Sequence, residues 1–163
     1  MANLVVLQKS RKKLRPGDIF VQKFSILDKY IWGRVISTTA DAGPFGLKNL
    51  IYIYHVLTTD IDDIPELKKN NLLIPPLLTN RLGWSRGYYK TIANMPLTQD
   101  DVYQPHCFHF FSMNQYRDEN AMVMDKPCPP VGSWAMTGYI AIEAEICRTL
   151  NLPFDPSDHA GVI

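Results

Sequence analysis

The sequence predicts an α+β fold in which β-strands dominate and one amphipathic helix closes the C-terminal part. Two patterns carry this reading. Short runs rich in β-branched and aromatic residues recur at 19–24, 30–36, 50–57 and 107–111, set between Gly, Pro, Asn and Asp. By contrast, 139–150 has helical spacing, with Tyr139, Ile142, Ile146 and Leu150 on one stripe. The 163 residues are 46% hydrophobic, enough for a core without disulfide support. We read residues 1–163 as a single domain.

Taken in order, residues 1–14 form a flexible arm or, at 4–7, a short edge strand. Pro16-Gly17-Asp18 supplies a turn. The strand at 19–24 and the strand at 30–36 make a hairpin. On the second, Tyr30, Trp32, Arg34 and Ile36 share one face, and Ile31, Gly33 and Val35 the other. Gly33 marks tight packing or a bulge. Residues 38–49, with Asp41, Gly43, Pro44 and Gly46, predict a long surface loop. The run 50–57 is apolar on both faces and predicts a covered strand. Acidic residues before Pro65 predict a turn or two of helix at 66–69. Pro75-Pro76 confines 72–78 to an edge strand or extended connection. Residues 90–93, 107–111 and 121–124 are further strand candidates, 114–120 is polar, and Pro127, Pro129 and Pro130 interrupt regular structure. The helix ends at Asn151, and Thr137 is a candidate cap. Residues 153–163 read as a loosely packed tail.

Glu143 falls within the apolar stripe of that helix. A carboxylate there must be hydrogen-bonded or ion-paired, and Arg34 is one conceivable partner.

Composition narrows the function classes. Charged residues are 20% and nearly balanced, with a formal net charge of +1, which argues against a general nucleic-acid binder. Residues 9–15 nevertheless hold five basic side chains in seven. Cys107, Cys128 and Cys147 are odd in number and widely spaced, as in a reducing compartment. Neither a secretory pattern nor a membrane-length apolar run is visible, so a cytoplasmic location is expected, with no membrane partner.

The cluster His106-Cys107-Phe108-His109 contains zinc-ligand types, but strand geometry points His106 away from Cys107 and His109, and tetrahedral zinc needs four ligands. Cys107 with a histidine base would suit a cysteine-dependent hydrolase or transferase, yet no nucleophile context surrounds it. No serine elbow, phosphate loop or helical zinc motif is present. We expect no enzyme, cofactor or metal. Arg81, Trp84, Arg86 and Tyr88 are instead the residue types that anchor protein interfaces. The same types hold and stack nucleic acid, so a nucleic-acid module using 9–15 and 81–89 is the alternative.

Three stretches carry a resemblance: Arg15-Pro16-Gly17-Asp18-Ile19-Phe20, then Tyr30-Ile31-Trp32-Gly33-Arg34-Val35, and the segment 89–97 ending Asn94-Met95-Pro96-Leu97. With the strand at 50–56 between them, residues 13–110 resemble the immunity protein 26 family of bacterial polymorphic-toxin systems. The resemblance implies a mainly antiparallel, strongly curved sheet, in one form a small barrel. It also implies a non-enzymatic protein that binds and neutralises a cognate toxin. Asp18 as turn acceptor, with Trp32 and Arg34 on one strand face, then join Arg81, Trp84, Arg86, Tyr88 and Glu143 as candidate partner-binding residues.

Overall fold

The computed structural model describes residues 3–159. The Pro16-Gly17 turn feeds β1 (Asp18–Phe24), which pairs antiparallel with β2 (Lys29–Asp41). Gly17 sits at φ +91, and a Cβ there would lie 2.5 Å from the Met95 carbonyl oxygen; only glycine fits the turn. β2 turns back into β3 (Leu47–Thr58), and β3 pairs with β4 (Leu72–Thr79). A one-turn helix α1 (Leu82–Ser85) leads to β5 (Lys90–Asn94), which returns to β1. The first sheet therefore has the order β4-β3-β2-β1-β5, antiparallel throughout.

A second, four-stranded sheet follows, comprising β6 (Cys107–Phe110), β7 (Gln115–Arg117), β8 (Val123–Met124) and β9 (Val131–Ser133), in the order β8-β7-β6-β9. Only its β6–β9 pair is parallel. The helix α2 (Tyr139–Leu150) closes the fold over the interval expected from its periodicity. Gly138, not Thr137, occupies its N-cap, and Asn151 ends it in the left-handed conformation, the usual stop for a helix.

Three apolar clusters fill the space around the first sheet. On one face Phe20, Ile31, Val35, Ile51 and Ile53 pack against Ile142 and Ile146 of α2. On the other, Leu50, Tyr52, Tyr54 and Leu78 meet Phe108 and Trp134 of the second-sheet region. Nearer β1, that face holds Ile19, Val21 and Trp32, with Ile61 and Leu67 of the 60–67 segment against them. The strand β3, apolar on both sides in the sequence, is thus covered on both sides.

Several expectations change. The sheet does not close: β4 and β5 are its two edges, and the strong curvature expected from the resemblance is not found. The long loop at 38–49 is mostly hairpin, because Ala40 and Asp41 pair with Lys48 and Leu47 and confine the turn to 42–46. Residues 66–69 form no helix. The polar run after Asn114 contains β7, and β9 forms just after the prolines. The tail is pinned at His159, which is buried; residues 160–163 of that expectation lie outside the described residues.

The partner of Glu143 also differs from expectation. Its carboxylate is fully buried but meets His159 rather than Arg34. His159 Nε2 lies 2.5 Å from Oε2, and the backbone N–H groups of Asn3 and Leu4 donate to Oε1 at 2.9 and 3.2 Å. One side chain on α2 thereby fixes both ends of the described chain.

Two stability predictions follow from this packing. A Cβ at Gly33 would overlap the Phe20 ring, which is held between Trp84 and Tyr89. Gly33→Ala should therefore cost about 1–3 kcal/mol, read as a lower urea midpoint; an unchanged midpoint would show that the ring yields. Glu143→Leu strands two buried N–H groups and should cost on the order of 2–3 kcal/mol. Faster hydrogen exchange at Asn3 and Leu4 should accompany it.

Candidate functional site

The basic run of the sequence becomes a strap. Residues 8–15 leave the edge of α1, where Leu7 and Gln8 donate to the Gly87 carbonyl and Ser10 to the Trp84 carbonyl. They rejoin the sheet at the Gly17 turn. There Asp18, which is buried, accepts the Arg15 N–H on Oδ2 and the Asn94 side-chain amide on Oδ1, both at 2.9 Å. Asn94 also donates to the Pro16 carbonyl. The strap is pinned at both ends of β5, but no backbone hydrogen bond joins residues 8–15 to 90–94 among the described residues. A slot of about 300 Å³ lies between them, lined by Lys12, Lys13, Arg15, Lys90 and Trp84, with β5 as one wall.

The charge balance of this slot is one-sided. Asp18 is its only acid, and that carboxylate is already occupied by its hydrogen bonds and by the Arg15 guanidinium 3.7 Å away. Among the described residues, Lys9, Lys12, Lys13 and Lys90 have no ion-pair partner. Arg81, flagged by sequence, is exposed and donates to the Arg11 carbonyl at 3.1 Å, bracing the strap and adding charge to the same face.

The other candidates disperse. Trp32 is fully buried and donates to the Thr58 hydroxyl at 2.8 Å. Trp84 packs edge-on against Phe20 and Tyr89, with centroids at 4.8 and 5.0 Å. These two tryptophans and Glu143 are interior residues, so their contribution to any partner surface is indirect. Arg34 is also enclosed. Its Nη2 donates to the Met95 carbonyl at 2.5 Å, and its Nη1 lies 3.6 Å from Asp101. Hydrogen bonds from the backbone and hydroxyl of Thr98, with Arg34 adding to them, hold the Asp101 carboxyl below its usual range. Arg34 borders a separate groove walled by Ile64, Pro65, Glu66 and Leu67. Arg86 and Tyr88 are half-buried on the α2 side, where Tyr88 stacks on Tyr139 at 5.0 Å.

The histidine cluster makes a different arrangement from either expected chemistry. The Tyr52 hydroxyl is hydrogen-bonded to His106 Nε2 at 2.5 Å and accepts the Tyr103 N–H at 2.9 Å. On the far side of the ring, His106 Nδ1 lies 3.6 Å from Glu119, which also accepts the His106 N–H at 2.9 Å. Burial alone would raise the Glu119 carboxyl, but the side chain and backbone of His106 outweigh it and hold it low. Burial drives the Tyr52 hydroxyl far above its ordinary range. A buried phenol that resists deprotonation is a poor nucleophile. The chain Tyr52–His106–Glu119 instead bolts β3 to the entrance of β6 and the exit of β7.

Cys107 is buried beside this bolt, and His109 bonds to Asn114. No group of three or more His, Cys, Asp or Glu suitable for a metal ion occurs among the described residues. Nor is any described helix long and apolar enough to cross a membrane.

In the sequence the run 9–15 stands out as a charge cluster, suited there to the nucleic-acid alternative, and Lys90 carries no signal of its own. The cluster's density was the available signal. Its second wall, β5, is some 80 residues away in the chain, and only the β1–β5 pairing brings it near.

No curated protein and no solved structure matches the chain. The sequence profile of immunity protein 26 matches residues 15–119, from the Gly17 turn through β7 to Glu119. That interval contains the buried carboxylate of Asp18 and the half-buried one of Asp101, together with Arg34 and the histidine bolt. It spans more than half of the chain, and the chain belongs to the immunity protein 26 family.

Proposed function

We propose that this protein binds a protein toxin in the bacterial cytoplasm and neutralises it through a protein–protein interface, acting as one domain without chemistry of its own. The observation that carries this reading is the family match over residues 15–119. The side-chain arrangement supports it. The residues that most resemble a catalytic set, Tyr52, His106 and Cys107, are all buried, whereas the unpaired charge lies in an open slot. Formal charge is close to balanced, at +1, but unevenly placed. Cations gather on the strap, and Asp60, Asp62, Asp63 and Glu66 lie in the segment that walls the Arg34 groove. Such an uneven distribution favours recognition of one partner surface over general attraction to polyanions.

The direct test is co-expression with the toxin domain encoded beside this chain. Growth should be rescued, and the two proteins should co-elute as a stoichiometric complex. Rescue without a complex, or a complex without rescue, would contradict neutralisation by binding.

The absence of thiol chemistry has its own check. Cys128 is exposed, Cys107 and Cys147 are buried, and burial pushes the Cys147 thiol up to about 11, with the Glu143 charge adding to the shift. In the native protein, a small alkylating reagent should modify Cys128 at the rate of an ordinary free thiol and spare the other two until the protein unfolds. Rapid native modification of Cys107 would reopen the cysteine-dependent alternative.

A further inference from the structure

Exposed strand edges are pairing templates, and folded proteins usually blunt them. In the first sheet the two edges are protected unequally. β4 carries Pro75 and Pro76, which have no N–H to offer, and Leu78 bridges to Met136 on its outer side. β5 has β1 on one side and, among the described residues, no strand on the other. Between Ala93 and Thr91 the register skips Ile92, a bulge that turns this side chain onto the Ile19–Trp32 cluster. The remaining wall is backbone together with Lys90, Thr91, Ala93 and Asn94. The strap faces this wall across the slot without pairing to it.

We infer that the slot receives an extended, acidic segment of a partner protein, which adds to β5 as a further strand while its carboxylates meet Lys12, Lys13, Arg15 and Lys90. This deepens the toxin-binding reading and rests on it. Main-chain pairing to a sheet edge gives affinity, and alternating side chains give selectivity. Residues on one side of an added strand recur every second position, so acids at alternate positions would face the strap in a row. Lys12, Lys13 and Lys90 have no competing ion pair among the described residues, so the desolvation each must undergo is offset by a new pair and not by the loss of an old one; Arg15 already faces Asp18 and shares its charge between the two.

Nucleic acid is the other polyanion such a slot would attract, and the structure favours it less. Single-stranded binding depends on aromatic faces on which bases stack. The one aromatic lining this slot, Trp84, is 2% exposed and engaged with Phe20 and Tyr89. A phosphate backbone also makes no use of an open strand edge.

The test uses the whole chain and a fluorescein-labelled peptide of four Glu-Val repeats, followed by anisotropy at low ionic strength. Saturable binding is expected, weakened about tenfold or more by the double variant Lys12→Glu, Lys13→Glu. Both lysines are exposed, so the variant should fold, and an unchanged unfolding midpoint confirms that it has. A Lys-Val peptide should not bind. A Glu-Val peptide with alternate amides N-methylated should bind much more weakly, because it cannot pair with β5. The inference is overturned by absence of Glu-Val binding or by equal binding of the Lys-Val peptide. It is equally overturned if the methylated peptide binds as well as its parent, or if oligothymidylate binds more tightly and is lost in the same variant. Co-expression separates this failure from that of the parent reading. A double variant that still protects cells from the neighbouring toxin sinks the slot and leaves toxin binding standing. A wild-type chain that fails to protect sinks toxin binding, whatever the peptides do.

Discussion

The carboxylate of Asp18 holds together the corner on which the candidate site depends. It accepts from Arg15 at the end of the strap and from Asn94 at the end of β5, and it begins β1. Three chain segments far apart in sequence meet at two oxygens. Gly17 makes the meeting possible, because the Met95 carbonyl approaches too closely for any side chain at that position. With this corner fixed and the other end of the strap held by the Gly87 and Trp84 carbonyls, the eight residues between must run alongside β5. They do so without pairing to it, and that leaves the slot.

Polar groups elsewhere in the interior act as joints. Glu143 ties α2 to the N-terminal segment and to His159. Tyr52, His106 and Glu119 tie the two sheets together. Arg34 ties β2 to the 95–101 segment through Met95 and Asp101. Each takes polar groups out of water and supplies hydrogen-bond partners for most of them, Arg34 Nε and His106 Nδ1 being left without one. Hydrogen-bonded joints of this kind specify geometry where apolar packing alone tolerates several arrangements. They also account for the buried positions of Tyr52, His106 and Cys107.

The strands and the helix were legible because their signals are local. The period of 139–150 survives in α2 to the residue, and the apolar density of 50–57 survives inside β3, which begins three residues earlier at Leu47. The hairpin at 42–46 was less legible: Gly43, Pro44 and Gly46 read as a loop, and only the cross-strand register shows how short the turn is. Long-range pairing was not legible. Glu143 was recognised as needing a partner, but nothing in the sequence pointed across the fold to Asn3, Leu4 and His159. Trp84 and Arg34 looked like surface anchors because tryptophan and arginine are enriched at interfaces. Here a packed aromatic trio encloses the first, and a carboxylate and a carbonyl satisfy the second. Lys12 and Lys13 read as part of a basic arm suited to nucleic acid, because nothing in the sequence places the unpaired strand opposite them.

A toxin seated along β5 and the strap would cover amides that are open in the free protein. Amide hydrogen exchange, measured on the free protein and on its complex with the toxin, reads this coverage residue by residue. New protection is expected at residues 90–94 and 9–15. Protection confined to the second sheet, with those amides exchanging as fast as in the free chain, would contradict it.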